Sequence, residues 1–249
     1  MKKIIIPLPR NGFDPTEAAI PFGKLKKSGH KIVFSTPDGS VPSADPIMLT
    51  GKGLGLLKNV LMARKDAVTA YQLMQNSQEF QSPIRYDDIL INDYRALILA
   101  GGHAKGMREY LESEVLQNIC AKFMGEKKIV AAVCHGVVLL ARSKRPDGKS
   151  VLFGKKTTAL LKSQEKLAYN LTRLWLGDYY LTYPATTVED EVMASLKKSR
   201  DFIAGATPLL KDSENNLKAG FTVVDGHYIS ARWPGDIYSF SNEILKLLN

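Results

Sequence analysis

The chain passes from an apolar strand into a helix at a single cysteine, and this turn constrains the fold more than any other feature. The sequence KKIVAAVCHGVVLLARS places five apolar residues, Ile129–Val133, directly before Cys134, and a second apolar run at helical spacing follows it. The first run predicts a strand buried on both faces, and the second predicts a helix. With no loop between them, Cys134 must occupy a tight strand-to-helix turn, the geometry of a nucleophile elbow.

Several features of this turn favour a reactive thiol at Cys134. A cysteine at a helix N-terminus lies beside unpaired backbone N–H groups, which stabilise a thiolate. The N–H of His135 can also donate to a developing oxyanion. The small residues Ala132 and Gly136, two positions to either side, let neighbouring backbones approach. We therefore predict that Cys134 is a nucleophile; the alternative is an inert, buried cysteine.

The rest of the chain alternates between strand and helix patterns. Apolar runs at residues 4–8 and 96–100 predict further central strands, and residues 16–27 have helical apolar spacing. Residues 40–90 interrupt the alternation and are predicted to form an insertion that covers the core. We predict an α/β fold of the doubly wound type, a three-layer sandwich around a mostly parallel sheet. It should form one domain over residues 1–249.

Candidate site residues follow three of the predicted strands. Glu17 follows the first strand, Gly101 and Gly102 follow the third, and Cys134 with His135 follows the fourth. Because the carboxyl ends of parallel strands meet in one crevice, these residues should lie together. The two glycines would let a backbone N–H approach a bound oxygen, although a plain tight turn explains them equally well. A glutamate beside a thiolate should keep a proton and act as an acid or base; alternatively, Glu17 only favours its helix dipole.

Composition and charge exclude several classes of protein. The formal net charge is +9, but the lysines are scattered, so no specific nucleic-acid partner is predicted. Two cysteines, Cys120 and Cys134, give no disulfide framework and suit a reduced cytoplasm. Pro7 and Pro9 interrupt the first apolar run too early for a signal peptide, and no stretch could span a bilayer. We predict a cytoplasmic protein with no membrane partner and, without zinc-ligand spacing, no metal or other cofactor.

Four segments together resemble one known family. They are EAAIPF at residues 17–22, AGGHA at 100–104, AAVCHG at 131–136 and DGHYISARWPGD at 225–236. In this order they resemble the ThiJ/PfpI superfamily, also called the DJ-one superfamily, and most of all its larger heat-shock, glyoxalase III-like branch. The last segment is similar to bacterial members described as intracellular protease/amidase. The resemblance implies a flavodoxin-like sandwich of the class I glutamine amidotransferase type, often dimeric.

The resemblance also implies roles for particular residues. It makes Cys134 the nucleophile and Glu17 the glutamate near its sulfur, and it assigns the oxyanion-hole N–H groups to Gly102 and His135. In this branch a carboxylate from a later segment joins the histidine after the cysteine, and the resemblance places that acid at Glu165. A solvated glutamate on a helix is the alternative for Glu165.

Three functions remain open at this point. The first is a cysteine-dependent enzyme acting on small reactive carbonyls, converting methylglyoxal to lactate or removing glycation. The second is a cysteine amidase or peptidase, for which a pair between His135 and a carboxylate would be expected. The third is a stress-related holdase chaperone or a cysteine redox sensor. The expected partners are a small carbonyl or amide substrate and a second copy of the chain in a homodimer.

Overall fold

The structure is a computed structural model that describes residues 3–249, and this part of the chain forms nine strands and eleven α-helices. The strands are β1 (Lys3–Pro7), β2 (Asn11–Phe13), β3 (Ile32–Thr36), β4 (Ser43–Ala44), β5 (Ile84–Arg85), β6 (Tyr94–Leu99), β7 (Ile129–Val133), β8 (Thr222–Asp225) and β9 (Tyr228–Ala231). The helices are α1 (Pro15–Lys27), α2 (Pro46–Thr50), α3 (Lys58–Leu61), α4 (Lys65–Gln75), α5 (Gln78–Gln81), α6 (Met107–Leu111), α7 (Glu114–Gly125), α8 (Gly136–Arg142), α9 (Lys162–Leu176), α10 (Val188–Ser195) and α11 (Ile237–Leu248).

Seven strands form the central sheet, in the order β5-β3-β1-β6-β7-β9-β8. All neighbours are parallel except β8, which pairs antiparallel with β9. Helix α1 packs against α4 and α11, and helix α8 packs against α7 and α10; these two groups cover the two faces of the sheet. The predicted α/β fold with a mostly parallel sheet is therefore confirmed.

The central strands are apolar on both faces because both faces are covered by helices. Ile4, Ile5 and Ile6 of β1 are buried, and so is every residue of β7. In register, Ile4 pairs with Ile32 of β3 and with Ala96 of β6. Because β1, β6 and β7 run in the same direction, the segments that follow them meet at one edge of the sheet. This edge carries the candidate site.

Residues 40–90 contribute to the sheet as well as to its cover. They include the edge strand β5 and two helices, α3 and α4, which are separated by residues 62–64. The ring of Phe80 packs edge-on against Phe34 of β3, with centroids 5.2 Å apart. This segment is thus joined to the core through aromatic packing; its status as an insertion stays a prediction.

No helix among residues 3–249 is both long enough and apolar enough to cross a membrane.

Gly136, the first residue of α8, is required by the packing of the elbow. A methyl group there would overlap the carbonyl oxygen of Leu99 and lie 2.9 Å from that of Ala100. Both oxygens belong to the end of β6, so the helix approaches this strand as closely as backbones allow. Gly125, at the end of α7, has no atom within 4 Å of the corresponding position.

We expect Gly136→Ala to lower the free energy of unfolding by about 1–3 kcal/mol, because the added methyl group overpacks a backbone contact. Gly125→Ala is the matched control and should leave stability unchanged or raise it by up to about 1 kcal/mol. Urea denaturation of both variants measures the difference. Equal stability of the two variants would contradict the close approach of α8 to β6.

Candidate active site

The chain turns at Cys134 as the sequence predicts. Strand β7 ends at Val133, helix α8 begins at Gly136, and Cys134 between them has a φ of +57°. Residues other than glycine rarely adopt this left-handed conformation, which costs energy and is concentrated at functional sites. The N–H of Cys134 donates to the carbonyl oxygen of Ala231 at 3.1 Å and anchors the turn to β9. The nucleophilic role of the thiol stays a prediction.

Glu17 and Cys134 meet at the end of β6. The carboxyl Oε2 of Glu17 accepts a hydrogen bond from the N–H of Gly101 at 2.7 Å. A methyl group at Gly101 would lie 2.9 Å from both this oxygen and the Cβ of Cys134, so the three residues are packed together. Glu17 is fully buried, and its second oxygen has no nitrogen or oxygen partner among residues 3–249. That oxygen is free to bond the thiol or a substrate.

The carboxyl of Glu17 is held in its protonated form. Burial raises its pKa well above the ordinary value, and the nearby Asp14 raises it further, although the Gly101 N–H favours the charged form. Asp14 is itself buried, and desolvation raises its pKa to about 6. Its side chain caps α1 by accepting from the N–H groups of Thr16 and Glu17. Two buried acids so close together oppose each other's ionisation.

The expectation of a ready thiolate at Cys134 is wrong for the resting protein. The residue is only 1% exposed, and burial raises the pKa of its thiol well above the usual value. The charges of Glu17 and Asp14 raise it further, and the hydrogen bond with Glu17 acts in the same direction. The N–H of His135 favours the thiolate, as the sequence suggested, but does not outweigh the loss of water. The thiol therefore needs a base.

His135 lies within reach of that thiol. Its Nδ1 is 3.4 Å from the Cys134 sulfur, and its Nε2 is 3.0 Å from the hydroxyl oxygen of Thr182. Burial lowers the pKa of the imidazole well below its usual value, and the nearby His103 and Arg142 lower it further. The ring is therefore neutral at physiological pH and can accept a proton.

The structure does not bring Glu165 to His135. Glu165 is buried on α9, where its Oε2 accepts from the N–H of Val188 at 3.0 Å and so caps α10. Burial raises the pKa of this carboxyl to about 7. Glu165 is thus neither the partner of His135 nor the solvated glutamate of the alternative. Thr182 stands where the resemblance implied a carboxylate.

One of the two proposed oxyanion donors, the N–H of His135, lies at the Cys134 sulfur. A methyl group at Gly101 would be 2.6 Å from the nitrogen of this N–H. Gly102 has a φ of +152°, and any side chain there would meet the backbone of Gly12 and Asp14. Among residues 3–249, neither N–H donates to a protein oxygen. Both groups remain available to a bound oxygen, and their role stays a prediction.

Sequence reasoning missed the residues that line the outer side of this site. Thr182 and Tyr180 belong to none of the motifs that the sequence offers. In the structure the ring of His103 lies 5.3 Å from that of His135 and 4.9 Å from that of Tyr180, measured between centroids. Burial lowers the pKa of His103 to about 4, so it too is neutral. Only the Gly-Gly-His sequence after β6 pointed toward this cluster.

Within residues 3–249, no group of three or more histidine, cysteine, aspartate or glutamate side chains is arranged to hold a metal ion.

We expect Glu17→Gln to lower the pKa of the Cys134 thiol. The substitution removes a carboxyl whose ionised form opposes the thiolate, and it keeps a side chain of the same shape at the Gly101 N–H. Thiolate absorbance at 240 nm, followed against pH with Cys134→Ser as the blank, measures this pKa. Cys120 is the internal reference, because burial raises its pKa to about 12. An unchanged or higher midpoint in Glu17→Gln would contradict the coupling of the two groups.

Comparisons with known proteins agree with this architecture. The chain is 27% identical over 234 residues to the glutathione-independent glyoxalase hsp3101 of Schizosaccharomyces pombe, covering 93% of this chain and 85% of the relative. It is 30% identical to hsp3102 of the same yeast over 154 residues, which span 61% of this chain and 60% of that protein. The deglycase TK1284 of Thermococcus kodakarensis is 26% identical, with 99% of both chains covered.

Solved structures show the same fold. Glyoxalase III from Candida albicans superposes with a TM-score of 0.67 at 21% identity, covering 98% of this chain and 96% of its own. The Rapid Encystment Protein 24 KDa of Francisella tularensis superposes with a TM-score of 0.68 at 16% identity, covering both chains completely. Residues 8–206 match the family described as ThiJ/PfpI family-like. This match includes both the Glu17 helix and the Cys134 elbow, and the chain belongs to the ThiJ/PfpI family.

Proposed function

We propose that this protein is a cysteine-dependent enzyme that converts small α-oxoaldehydes, such as methylglyoxal, into hydroxy acids. The observation that carries the proposal is the pair of groups at the Cys134 sulfur: a protonated acid, Glu17, and a neutral base, His135. Relatives described as glyoxalases and deglycases support a reaction that begins with attack on a reactive carbonyl.

The first step in this proposal is addition of the thiol to the aldehyde. His135 Nδ1 accepts the thiol proton at the moment of attack, so a stable thiolate is not needed in the resting site. The sulfur bonds to the aldehyde carbon, and the C=O electron pair moves to oxygen. The N–H groups of Gly102 and His135 stabilise the oxyanion, and Glu17 then donates its proton to give a hemithioacetal.

The second step is a proton transfer between adjacent carbons. Glu17, now a carboxylate, takes the proton from the former aldehyde carbon and returns it to the neighbouring ketone carbon. The imidazolium of His135 gives a proton to the ketone oxygen, and His135 later accepts one from the first oxygen. The product is a thioester of the hydroxy acid on Cys134, which water hydrolyses to lactate and free thiol. Transfer of the remaining proton from His135 to Glu17 restores the enzyme, and the sum is methylglyoxal plus water to lactate and one proton.

The burial of the sulfur separates this function from its alternatives. A thiol that is only 1% exposed suits a three-carbon aldehyde better than a peptide chain, which needs an open groove. An amidase would also need His135 as the general acid for the leaving amine, and no carboxylate stabilises a protonated His135 for that role. A redox sensor needs an accessible thiol of low pKa, which is the opposite of Cys134.

Cys134→Ser should abolish methylglyoxal turnover, with lactate formation followed by NMR. Cys120→Ser should retain it, because Cys120 is buried on α7 away from the elbow. Glu17→Gln should lower kcat by about 10²-fold or more, since it removes the proposed acid and base. Glu165→Gln is its matched control and should keep kcat within a few fold. Full turnover by Cys134→Ser, or amide hydrolysis without methylglyoxal turnover, would overturn the proposal.

We also propose that the expected homodimer forms through α9. Leu167, Leu171 and Leu174 follow i, i+4, i+7 spacing, and with Trp175 they are between 46% and 89% exposed. The indole N–H of Trp175 donates to the carbonyl oxygen of Gly53 at 2.6 Å, which joins this stripe to the segment that carries the exposed Leu56. An apolar patch of this extent is typical of an interaction surface.

A second copy of the chain is the partner that this stripe fits best. Leu167 and Leu174 lie one turn to either side of Leu171, so two α9 helices can pair antiparallel about a two-fold axis at Leu171. The positions beside the seam, Ala168 and Asn170, are uncharged, so the pairing sets no like charges against each other. Two such patches supply the apolar centre of an interface of about 800 Å² per partner.

Sedimentation velocity should give twice the chain mass of 27.5 kDa for the wild type and the single mass for Leu171→Glu. The control is Leu90→Glu, because Leu90 is 65% exposed but lies just before β6, at the opposite end of the sheet from Cys134. A dimeric Leu171→Glu would place the contact elsewhere. A monomeric wild type that suppresses client aggregation through this stripe would favour the holdase alternative.

A further inference from the structure

We propose that Thr182 is a positioning residue that fixes the tautomer of His135 and aims its Nδ1 lone pair at the Cys134 thiol. A neutral hydroxyl would then do what a carboxylate does in a catalytic triad. The inference deepens the proposed function and rests on it only for its kinetic consequences. The tautomer itself depends on hydrogen bonds alone.

The argument follows the single proton of the Thr182 hydroxyl. The hydroxyl oxygen lies 2.7 Å from the main-chain oxygen of His103 and 3.0 Å from Nε2 of His135. A carbonyl oxygen can only accept, so the hydroxyl must donate its proton to His103. Toward His135 the same oxygen can then only accept, and Nε2 must carry the ring proton. In a neutral imidazole the other nitrogen, Nδ1, is left as the acceptor.

The free lone pair points to the sulfur. Nδ1 of His135 is 3.4 Å from Sγ of Cys134, within the range of a hydrogen bond to sulfur. With Nε2 protonated, the thiol donates to Nδ1, which is the direction of proton transfer that attack on a carbonyl requires. The opposite tautomer would direct an N–H at the thiol and leave no base for its proton.

Thr182 is held in place by the segment around β6. Its side chain is fully buried, and its main-chain oxygen accepts from Nε and Nη2 of Arg108 at 2.9 and 2.7 Å. The side chain of Lys105 bonds the carboxylate of Asp178 at 3.0 Å. Lys105 and Arg108 both follow the Gly101–Gly102 turn in the chain. The segment that carries the proposed oxyanion donor therefore also holds Thr182, which orients His135.

A hydroxyl differs from a carboxylate in one measurable respect. It orients the ring without adding a negative charge, so it does not raise the pKa of His135, which burial keeps well below its usual value. His135 should therefore remain a neutral base in mildly acidic solution. The rate should show no loss from imidazole protonation near pH 6.5, where an unperturbed histidine would titrate.

The test compares Thr182→Val, which removes the acceptor at similar volume, with Thr182→Ser, which keeps it. The matched control is Thr172→Val, because Thr172 is equally buried but bonds only Ala168 within α9. We expect Thr182→Val to lower kcat/KM for methylglyoxal by about tenfold or more. The upper limit of this loss is the roughly 10²–10⁴-fold in rate that a positioned base contributes. Thr182→Ser and Thr172→Val should stay within a few fold of the wild type.

Two further measurements keep a structural effect apart from the proposed one. Nitrogen-15 NMR of the His135 ring should report the Nε2–H tautomer in the wild type and in Thr182→Ser, and loss of that preference in Thr182→Val. The pH profile of wild-type kcat/KM should lack a fall near pH 6.5. An Nδ1–H tautomer in the wild type, or unchanged tautomer and rate in Thr182→Val, would overturn the inference. Absence of wild-type turnover would overturn the proposed function and leave the tautomer result standing.

Discussion

The site depends on the close packing of Gly101 against Glu17 and Cys134. The Gly101 N–H holds one carboxyl oxygen at 2.7 Å, and the absence of a side chain lets the thiol approach from the other side. Gly101 and Cys134 follow the adjacent parallel strands β6 and β7, and Glu17 lies in the first turn of α1, so regular elements bring the three residues together. Any larger residue at Gly101 would separate the acid from the sulfur. The reactive geometry is therefore a property of the backbone.

Burial then decides the protonation states of this cluster. Removing water penalises every charged form, so Glu17 keeps its proton, Cys134 keeps its proton and His135 stays neutral. These three groups are uncharged at rest, and in the proposed reaction charge develops only when a substrate carbonyl is present to receive it. A site of this kind transfers protons in concert with bond formation and does not store a thiolate. Its specificity follows from size and from the placement of neutral donors and acceptors.

The sequence was sufficient for the sheet, the elbow and the meeting of Glu17 with Cys134, because apolar runs and glycines report directly on backbone burial and close approach. It was insufficient for the partner of His135. Glu165 on α9 carries the carboxylate that was expected beside His135, but α9 directs this side chain toward the first turn of α10. Thr182 belongs to an irregular segment whose path is set by contacts with Arg108 and Lys105, and such contacts leave no periodic pattern. The resting pKa of Cys134 was also misjudged, since the helix terminus is visible in a sequence and desolvation is not.

The buried ionisable groups have opposite effects on the acid tolerance of the fold. The pKa values of Asp14 and Glu165 are raised to about 6 and about 7, so folding takes up protons at these two carboxyls. The protonated carboxyls therefore stabilise the fold in acid, and this stabilisation is lost as the pH rises through these pKa values. His103, with a pKa lowered to about 4, resists protonation when folded, so its contribution is lost as the pH falls below about 6.5. Between these limits the two trends offset each other. As the pH falls, the buried carboxyls therefore offset part of the stability that the buried histidine loses.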